Sequence, residues 1–342
     1  MPSHQDARVV ARLDLPQPAH VVEFCPHPQA EDLIAWGGDT IVGVIRKTQT
    51  ADGSQTTFTL VEEHLVGARA TAISWSPSTT FSSESQIIRL VVGCDNGKIF
   101  LIDQGRVLLV GSHLDTINDL SFSFTEKHTL ASVSEDQTLC IWTLPDNLHH
   151  HEHGSFQPTC ATSRLSSPGV AVRSHPDRSN LFMVAEKSGI VRFYDFRQDE
   201  TVWSVLLRDD GPGPAILRDA DWSIEKSLLR FGAVIGSKWY IWDFPHLEPI
   251  RAGHGHEEGA HQFRWARNKN GETVFATATS APSADTAASI KVHNIDHQLP
   301  VHVGDTSSKA RVTSISWHRS ANLLASANRS RLLCHSIQSG SS

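Results

Sequence analysis

A chain of 342 residues that is 39% hydrophobic and 20% charged has the make-up of an ordinary globular protein, not of a disordered or fibrous one. Its net charge of −7 and the lack of any dense Lys/Arg run argue against a surface built for nucleic acid, and no signal peptide, lipidation motif or bilayer-spanning apolar run is expected. Five cysteines (Cys25, Cys94, Cys140, Cys160 and Cys334) form no CxxC pair, so reduced, mostly buried thiols of a cytosolic or nuclear protein are expected.

In chain order, residues 1–8 are expected to be disordered, and residues 9–15 alternate apolar and polar positions as an edge strand does. A unit then begins that recurs to the end. Each copy has a first strand closing on an aromatic or a polar turn, then a small-residue strand, a tight turn and a third β-rich strand. First strands start at His20, Thr71, Ile117, Val170, Arg218, His261 and Thr313, which makes seven units, spaced by roughly 40–50 residues as WD repeats are. Within the first unit, residues 49–58 read as a polar loop and 59–66 as an outer strand. In the second, Asp95-Asn96-Gly97-Lys98 reads as a type I′ hairpin, because Asn-Gly takes positive φ readily. Gly189 and Gly236 hold the matching turns of units four and five. Residues 145–166 and 245–259 read as long connections, expected to be partly ordered at the rim, and 279–289 as a low-complexity enlargement of the sixth hairpin, expected to be mobile.

One such unit cannot stand alone, because its sheet needs cover on both faces. The expected fold is therefore all-β: a single seven-bladed WD40 β-propeller over residues 9–338, a closed ring whose last blade is completed by the N-terminal strand. Residues 339–342 are expected to be a disordered tail.

The third unit carries a constellation of interest: His113, Ser132 or Ser134, Asp136 and Trp142. In WD blades such residues form a buried chain from carboxylate to imidazole to hydroxyl to indole. Ser132 and Ser134 share a strand face, so both remain candidates. The same types would suit a catalytic triad, but nothing resembles a nucleophile elbow or an oxyanion hole, and no catalytic residue is assigned. The other units lack the full set, since Ser188, Gly236 and Ser330 stand where Asp136 would, and their packing is expected to be mainly apolar. Trp75, Trp222, Trp242, Trp265 and Trp317, near strand ends, are the expected blade anchors. The histidine-rich run His149, His150, His151, Glu152, His153 and the set His254, His256, Glu257, His261 lack the rigid convergence of a structural metal site. No metal or cofactor is expected. Gly37-Gly38-Asp39 and residues 93–97 precede no helix and read as hairpins, not phosphate cradles, and residues 208–210 read as solvated rim.

Several segments go beyond a generic repeat. MVAEKSGIVRFYD (183–195), HVVEF (20–24) with LIAWGG (33–38), ASVSED (131–136), WYIWD (239–243) and SWH (316–318) resemble, in the same order, the small WD-repeat nucleoporins of the Y-shaped, outer-ring nuclear pore subcomplex, the nucleoporin 37 family. The resemblance runs over residues 20–337. It departs at Ser174, where an aromatic would stand before His175-Pro176, and in the histidine-rich and sixth-unit loops. It implies a non-enzymatic scaffold subunit at the nuclear envelope. The implied partner is the large scaffold nucleoporin of the Y complex arm, a propeller joined to a helical solenoid, with the chromatin-linking propeller nucleoporin as a further neighbour. No direct nucleic-acid binding and no membrane insertion are implied, and partner-binding residues stay unassigned. The competing reading is a WD40 adaptor that takes a peptide or histone tail in a ubiquitin-ligase or chromatin complex, which would need convergent acidic or aromatic residues at a channel mouth.

Overall fold

The computed structural model describes residues 7–50, 55–145, 156–178, 180–207, 216–224, 229–244, 246, 248–268, 273–279, 290–297, 299–303 and 311–337. Among them every regular element is a β-strand, and no helix is long and apolar enough to cross a membrane. Strand β1 (Ala7–Asp14) precedes a first sheet of β2 (Val21–Phe24), β3 (Leu33–Gly37), β4 (Ile41–Gln49) and β5 (Thr56–Leu65). After β6 (Ala70–Trp75) comes a side hairpin of β7 (Thr80–Phe81) and β8 (Gln86–Ile87); β9 (Arg89–Cys94), β10 (Lys98–Asp103) and β11 (Arg106–Ser112) then complete the second sheet. The third holds β12 (Ile117–Phe122), β13 (Thr129–Ser134), β14 (Thr138–Thr143) and β15 (Thr159–Arg164), and the fourth β16 (Gly169–Ser174), β17 (Leu181–Glu186), β18 (Ile190–Asp195) and β19 (Glu200–Leu206). The fifth takes β20 (Leu217–Trp222), β21 (Leu229–Ile235), β22 (Lys238–Phe244) and β23 (Arg251–His254). The sixth takes β24 (Gln262–Trp265), β25 (Val274–Ala278), β26 (Ile290–Asn294) and β27 (Val301–Val303). The seventh has β28 (Val312–Trp317), β29 (Leu323–Asn328) and β30 (Arg331–Ile337), with β1 as its fourth strand. These are the strands of a seven-bladed WD β-propeller.

The pattern of apolar residues explains the layering. Second strands such as β9, β13 and β17 are buried at every position, as strands covered on both faces must be. Fourth strands are exposed on at least one face, and β15 and β23 almost throughout. The chain divides into two compact units: Met1–Asp39, Gly43–Glu63 and Arg218–Ser342 in one, Thr40–Val42 and His64–Leu217 in the other. In the first, Phe263 and Phe275 stack at 4.7 Å beside Trp265, and Phe231 stacks on Trp242 at 5.1 Å. In the second, Val91, Leu101, Leu120, Leu130 and Trp142 form one apolar cluster, and Val133, Ile141, Val172, Phe182 and Val184 another.

The N-terminal strand pairs antiparallel with β30, Ala11 opposite Cys334 and Leu13 opposite Leu332. It begins at Ala7, so Ala7 and Arg8, expected to be disordered, belong to the strand, while residues 1–6 lie outside the described residues. The backbone N–H of Leu15 to Ser330 O (2.7 Å) and of Ala19 to Arg329 O (2.9 Å) extend the join.

Three expectations need correction. First, Asn96-Gly97 is not a type I′ turn: of the two, Gly97 alone has positive φ (80°). Gly97 N bonds Cys94 O at 3.1 Å, and Asn96 Oδ1 accepts from Lys98 N at 3.2 Å, so Asn96 keeps an ordinary φ and uses its side chain to close the turn. Gly97 is needed because a Cβ there would lie 2.5 Å from His113 O. The I′ pattern, positive φ at both central residues, occurs one hairpin later at Gln104 (48°) and Gly105 (82°). Second, the stretches read as long connections each contain a fourth strand, β15 and β23. Third, the polar loop at 49–58 is shorter, because β4 runs to Gln49 and β5 starts at Thr56. The run 149–153, residues 208–210, residues 280–289 and the tail 339–342 lie outside the described residues.

Candidate functional site

The third sheet brings His113, Ser132, Asp136 and Trp142 together, with one addition. His113, between β11 and β12, is anchored by its backbone N–H to Gly97 O at 2.9 Å. Its Nδ1 faces Asp136 Oδ2 at 3.1 Å, and its Nε2 lies 2.7 Å from Ser132 Oγ. The indole N–H of Trp142 donates to the same Ser132 Oγ at 2.8 Å. A carboxylate only accepts and an indole only donates. With the proton on Nδ1, the order Trp142 to Ser132 to His113 to Asp136 satisfies every member. Thr138 is the residue that sequence reasoning missed: its hydroxyl donates to Asp136 Oδ1 at 2.6 Å and lies 2.8 Å from His113 Nδ1. Burial opposes charge on His113, but Cys140 and then Asp136 outweigh it and raise its pKa. Burial would push Asp136 the other way, yet Thr138, the Leu114 N–H and His113 hold its pKa below the ordinary value.

Ser134 stands outside this chain. It donates to Asp115 O and accepts from Asp136 N, both at 3.1 Å, and so shapes the turn. The neighbouring sheet seats Trp142: a Cβ on Gly111 of β11 would lie 2.3 Å from the indole ring, so only hydrogen fits there. Ser132 is 0% exposed, which closes it to any substrate and removes the nucleophile a triad would need.

Two other sheets carry shortened versions of the chain. Thr277 and Ser326 follow Phe275 and Leu324 by two residues, as Ser132 follows Leu130, and His293 and His335 pair opposite Phe275 and Leu324 as Trp142 does opposite Leu130. Thr277 Oγ1 bonds His293 Nε2 (2.9 Å) and His256 Nε2 (3.2 Å), and Ser326 Oγ bonds His335 Nε2 (2.9 Å). Burial drives these rings neutral, His256 and His335 to about 4 and His293 to about 3. Histidine in the tryptophan position hid the likeness at the level of sequence.

A second recurring device joins consecutive sheets. Each first strand has one open edge, whose buried N–H groups need partners. Side chains on the preceding first strand supply them. In the compact unit that holds residues 64–217, Ser74 Oγ accepts from Phe122 N (2.9 Å), Asp119 Oδ2 from Val172 N (2.8 Å) and Ser121 Oγ from Ser174 N (3.1 Å). Ser174, the departure from the family pattern, has a use here, since its Oγ accepts from Phe124 N at 3.0 Å. In the compact unit that holds residues 218–342, Asp219 Oδ2 accepts from Phe263 N (2.9 Å), Asp221 Oδ2 from Trp265 N (3.0 Å) and Gln262 Oε1 from Ile315 N (2.7 Å). Ser314 and Ser316 accept from Val22 N (3.1 Å) and Phe24 N (3.0 Å), which stitches the last sheet to the first. The acids also pair with arginines: Asp119 with Arg173, Asp219 with Arg264, and Asp221 with Arg267 at 2.9 Å. The packing between sheets is therefore polar as well as apolar. Alternate polar residues at 119/121, 219/221 and 314/316 were the available signal.

Trp75, Trp222, Trp265 and Trp317 end first strands and Trp242 lies on β22; all five are buried. Trp222 and Trp242 contact Phe231 from two sides, and Trp317 N–H donates to Arg264 O at 3.0 Å. His261 Nε2 lies 3.2 Å from Thr313 O and His256 is held by Thr277, while His254 and Glu257 are exposed. Among the described residues no three His, Cys, Asp or Glu side chains converge on a metal position.

Comparison with known proteins agrees with this architecture. A family model described as "WD domain, G-beta repeat" matches residues 106–143, the stretch that holds the complete chain. The sequence is 34% identical over 325 residues to mouse Nucleoporin Nup37 and 32% identical over 325 residues to the human protein of that name, in both cases covering 92% of either chain. A Drosophila melanogaster protein of the same name is 24% identical over 338 residues, 95% of this chain and 96% of its own.

Proposed function

The chain belongs to the Nucleoporin Nup37 family, and from that premise we propose that it is a rigid docking subunit that engages the large propeller-and-solenoid nucleoporin of the Y complex arm. The coarser role is that of a non-enzymatic WD-repeat scaffold nucleoporin of the nuclear pore complex, at the nuclear envelope. The observation that carries the reading is family identity at 34% sustained over 92% of both chains. The chromatin-linking propeller nucleoporin is a further proposed neighbour, and residues 9–338 are proposed to act as one body. Binding to such a partner requires about 1,600 Å² of buried surface in total. Open fourth-strand edges supply apolar area: Val107 and Leu109 on β11 and Val202 and Leu206 on β19 are 36–52% exposed.

The competing adaptor reading needs free acids or aromatics to grip a basic tail. Asp119, Asp219 and Asp221 on the first strands are already engaged by backbone N–H groups and arginines, which favours the scaffold. Affinity capture from nuclear extract with crosslinking separates the two. Crosslinks to the large propeller-and-solenoid nucleoporin are expected. Recovery of ubiquitin-ligase or chromatin-modifying subunits without that nucleoporin would defeat the proposal.

A further inference from the structure

Cys140 on β14 sits directly opposite Thr162 of β15, and Cys160 lies two residues before Thr162 on the same face of that strand. Thr162 Oγ1 lies between the two sulfurs, 3.5 Å from Cys140 Sγ and 3.6 Å from Cys160 Sγ. The settings of the two thiols differ. Cys140 is buried, whereas Cys160 is exposed on β15, the outermost strand of its sheet. From this geometry we propose that Cys140 and Cys160 are an oxidation-sensitive pair, in which a hydroperoxide oxidises Cys160 and Cys140 resolves it to a disulfide across β14 and β15.

The electron balance is that of a dithiol and a peroxide. The Cys160 thiolate attacks the O–O bond, becomes a sulfenic acid and releases water or alcohol. Cys140 then attacks that sulfur, its proton leaves with the hydroxyl as water, and two electrons have passed from the thiol pair to the peroxide. The division of roles follows from the surroundings. The neighbouring Cys140 thiol and, less strongly, the Thr162 hydroxyl hold Cys160 down at about 7, against partial desolvation. The neighbouring Cys160 and then burial push Cys140 up to about 12. The remaining cysteines, Cys25, Cys94 and Cys334, are buried and also pushed up to about 12, so like Cys140 they do not compete for the peroxide; Cys140 differs in lying diagonal to Cys160, which makes its attack on the sulfenic acid intramolecular.

Diagonal cross-strand neighbours have Cα atoms about 7–8 Å apart, slightly beyond the roughly 4.4–6.8 Å that a disulfide spans. Closing the bridge draws β15 inward, a movement that a strand bonded on one side only permits, and leaves a bond that is easily reduced. Cys140 Sγ is 4.0 Å from His113 Nδ1. Oxidation therefore pulls on the chain from Asp136 to Trp142.

The test uses the purified full chain in hydrogen peroxide at pH 7, followed by alkylation, digestion and mass spectrometry. A Cys140–Cys160 peptide that dithiothreitol removes is expected. Cys160→Ala abolishes it, and Cys140→Ala leaves a sulfenic acid at Cys160 that dimedone traps. Because Cys140 is buried and its variant could misfold, a second measurement uses the parent alone: native iodoacetamide labelling of Cys160 at least about tenfold faster than of Cys25, Cys94 or Cys334. Labelling of Cys160 no faster than of the buried thiols overturns the proposal, as does over-oxidation of Cys160 while Cys140 stays reduced.

Discussion

Removing the Ser132 hydroxyl is the sharpest probe of the buried chain, because both neighbours then lose a partner they cannot replace. Ser132 is 0% and Trp142 6% exposed, so no water substitutes at either bond. Ser132→Ala strands the Trp142 N–H and His113 Nε2, each at about 1–3 kcal/mol, or about 2–4 kcal/mol together since they share one oxygen. Unfolding entropy of about 2.1 cal/mol/K per residue over 342 residues converts this to a fall in Tm of about 3–6 °C. A double-mutant cycle isolates the bond from the packing. Trp142→Phe removes the N–H while keeping a ring, and urea unfolding of both single variants and the double is expected to show a coupling of at least about 0.5 kcal/mol. The matching cycle with Ser134→Ala should be additive, since Ser134 contacts Asp115 and Asp136 instead. Additivity in the Ser132 cycle, or coupling only in the Ser134 cycle, would refute the assignment.

Other outcomes follow from the same structure. Asp221→Ala leaves Trp265 N and Arg267 without their acceptor and should lower urea-unfolding stability by about 3–5 kcal/mol, while the seam variant Ser74→Ala, which strands one N–H, should cost only about 1–3 kcal/mol. Gly232→Ala places a Cβ 2.1 Å from Phe263 and should cost about 1–3 kcal/mol by overpacking, read as a lower denaturation midpoint. Stability should also fall on acidification. His175, His256 and His335 are held at about 4 and His293 at about 3, with burial as the leading cause. The unfolded chain therefore takes up protons first, near 6.5, and each ring's contribution is complete above that value and declines by about 1.4 kcal/mol per pH unit down to the folded value. His113, raised by its surroundings, has the opposite sign: its share is present below about 6.5 and is lost as pH rises through its folded value. Melts between pH 7.5 and about 5 should show a net decline, shallower in His293→Phe; a flat profile would contradict the burial of these rings.

The first three strands of every blade were legible because they must bury apolar side chains at fixed spacing and turn at small or polar residues. Of the fourth strands, only β1 and β5 were anticipated, as an edge strand at 9–15 and an outer strand at 59–66. TCATSR of β15 and RAGH of β23 bury almost nothing, so no apolar alternation marks them; backbone bonds to β14 and β22 alone define them. The set His113, Asp136 and Trp142 could be read in order, whereas the choice of Ser132 over Ser134 depends on register. Ser132 pairs with Cys140 and so lies diagonal to Trp142, while Ser134 has already reached the turn. The shortened chains of the sixth and seventh sheets escaped notice because His293 and His335 replace the indole and leave a pattern with no tryptophan to find. The seam acids escaped because an Asp in an otherwise apolar strand, alone at 119 or paired at 219 and 221, reads as an interruption until the neighbouring strand's N–H groups are seen to need it.

The account as a whole is tested most directly by mixing the purified chain with the purified large propeller-and-solenoid nucleoporin of the Y complex arm and measuring sedimentation velocity across a concentration series. A single faster boundary of fixed one-to-one composition, persisting at micromolar concentration and at physiological salt, is the predicted result. Independent boundaries for the two proteins at every concentration, with the chain instead binding a basic histone-tail peptide, would contradict it.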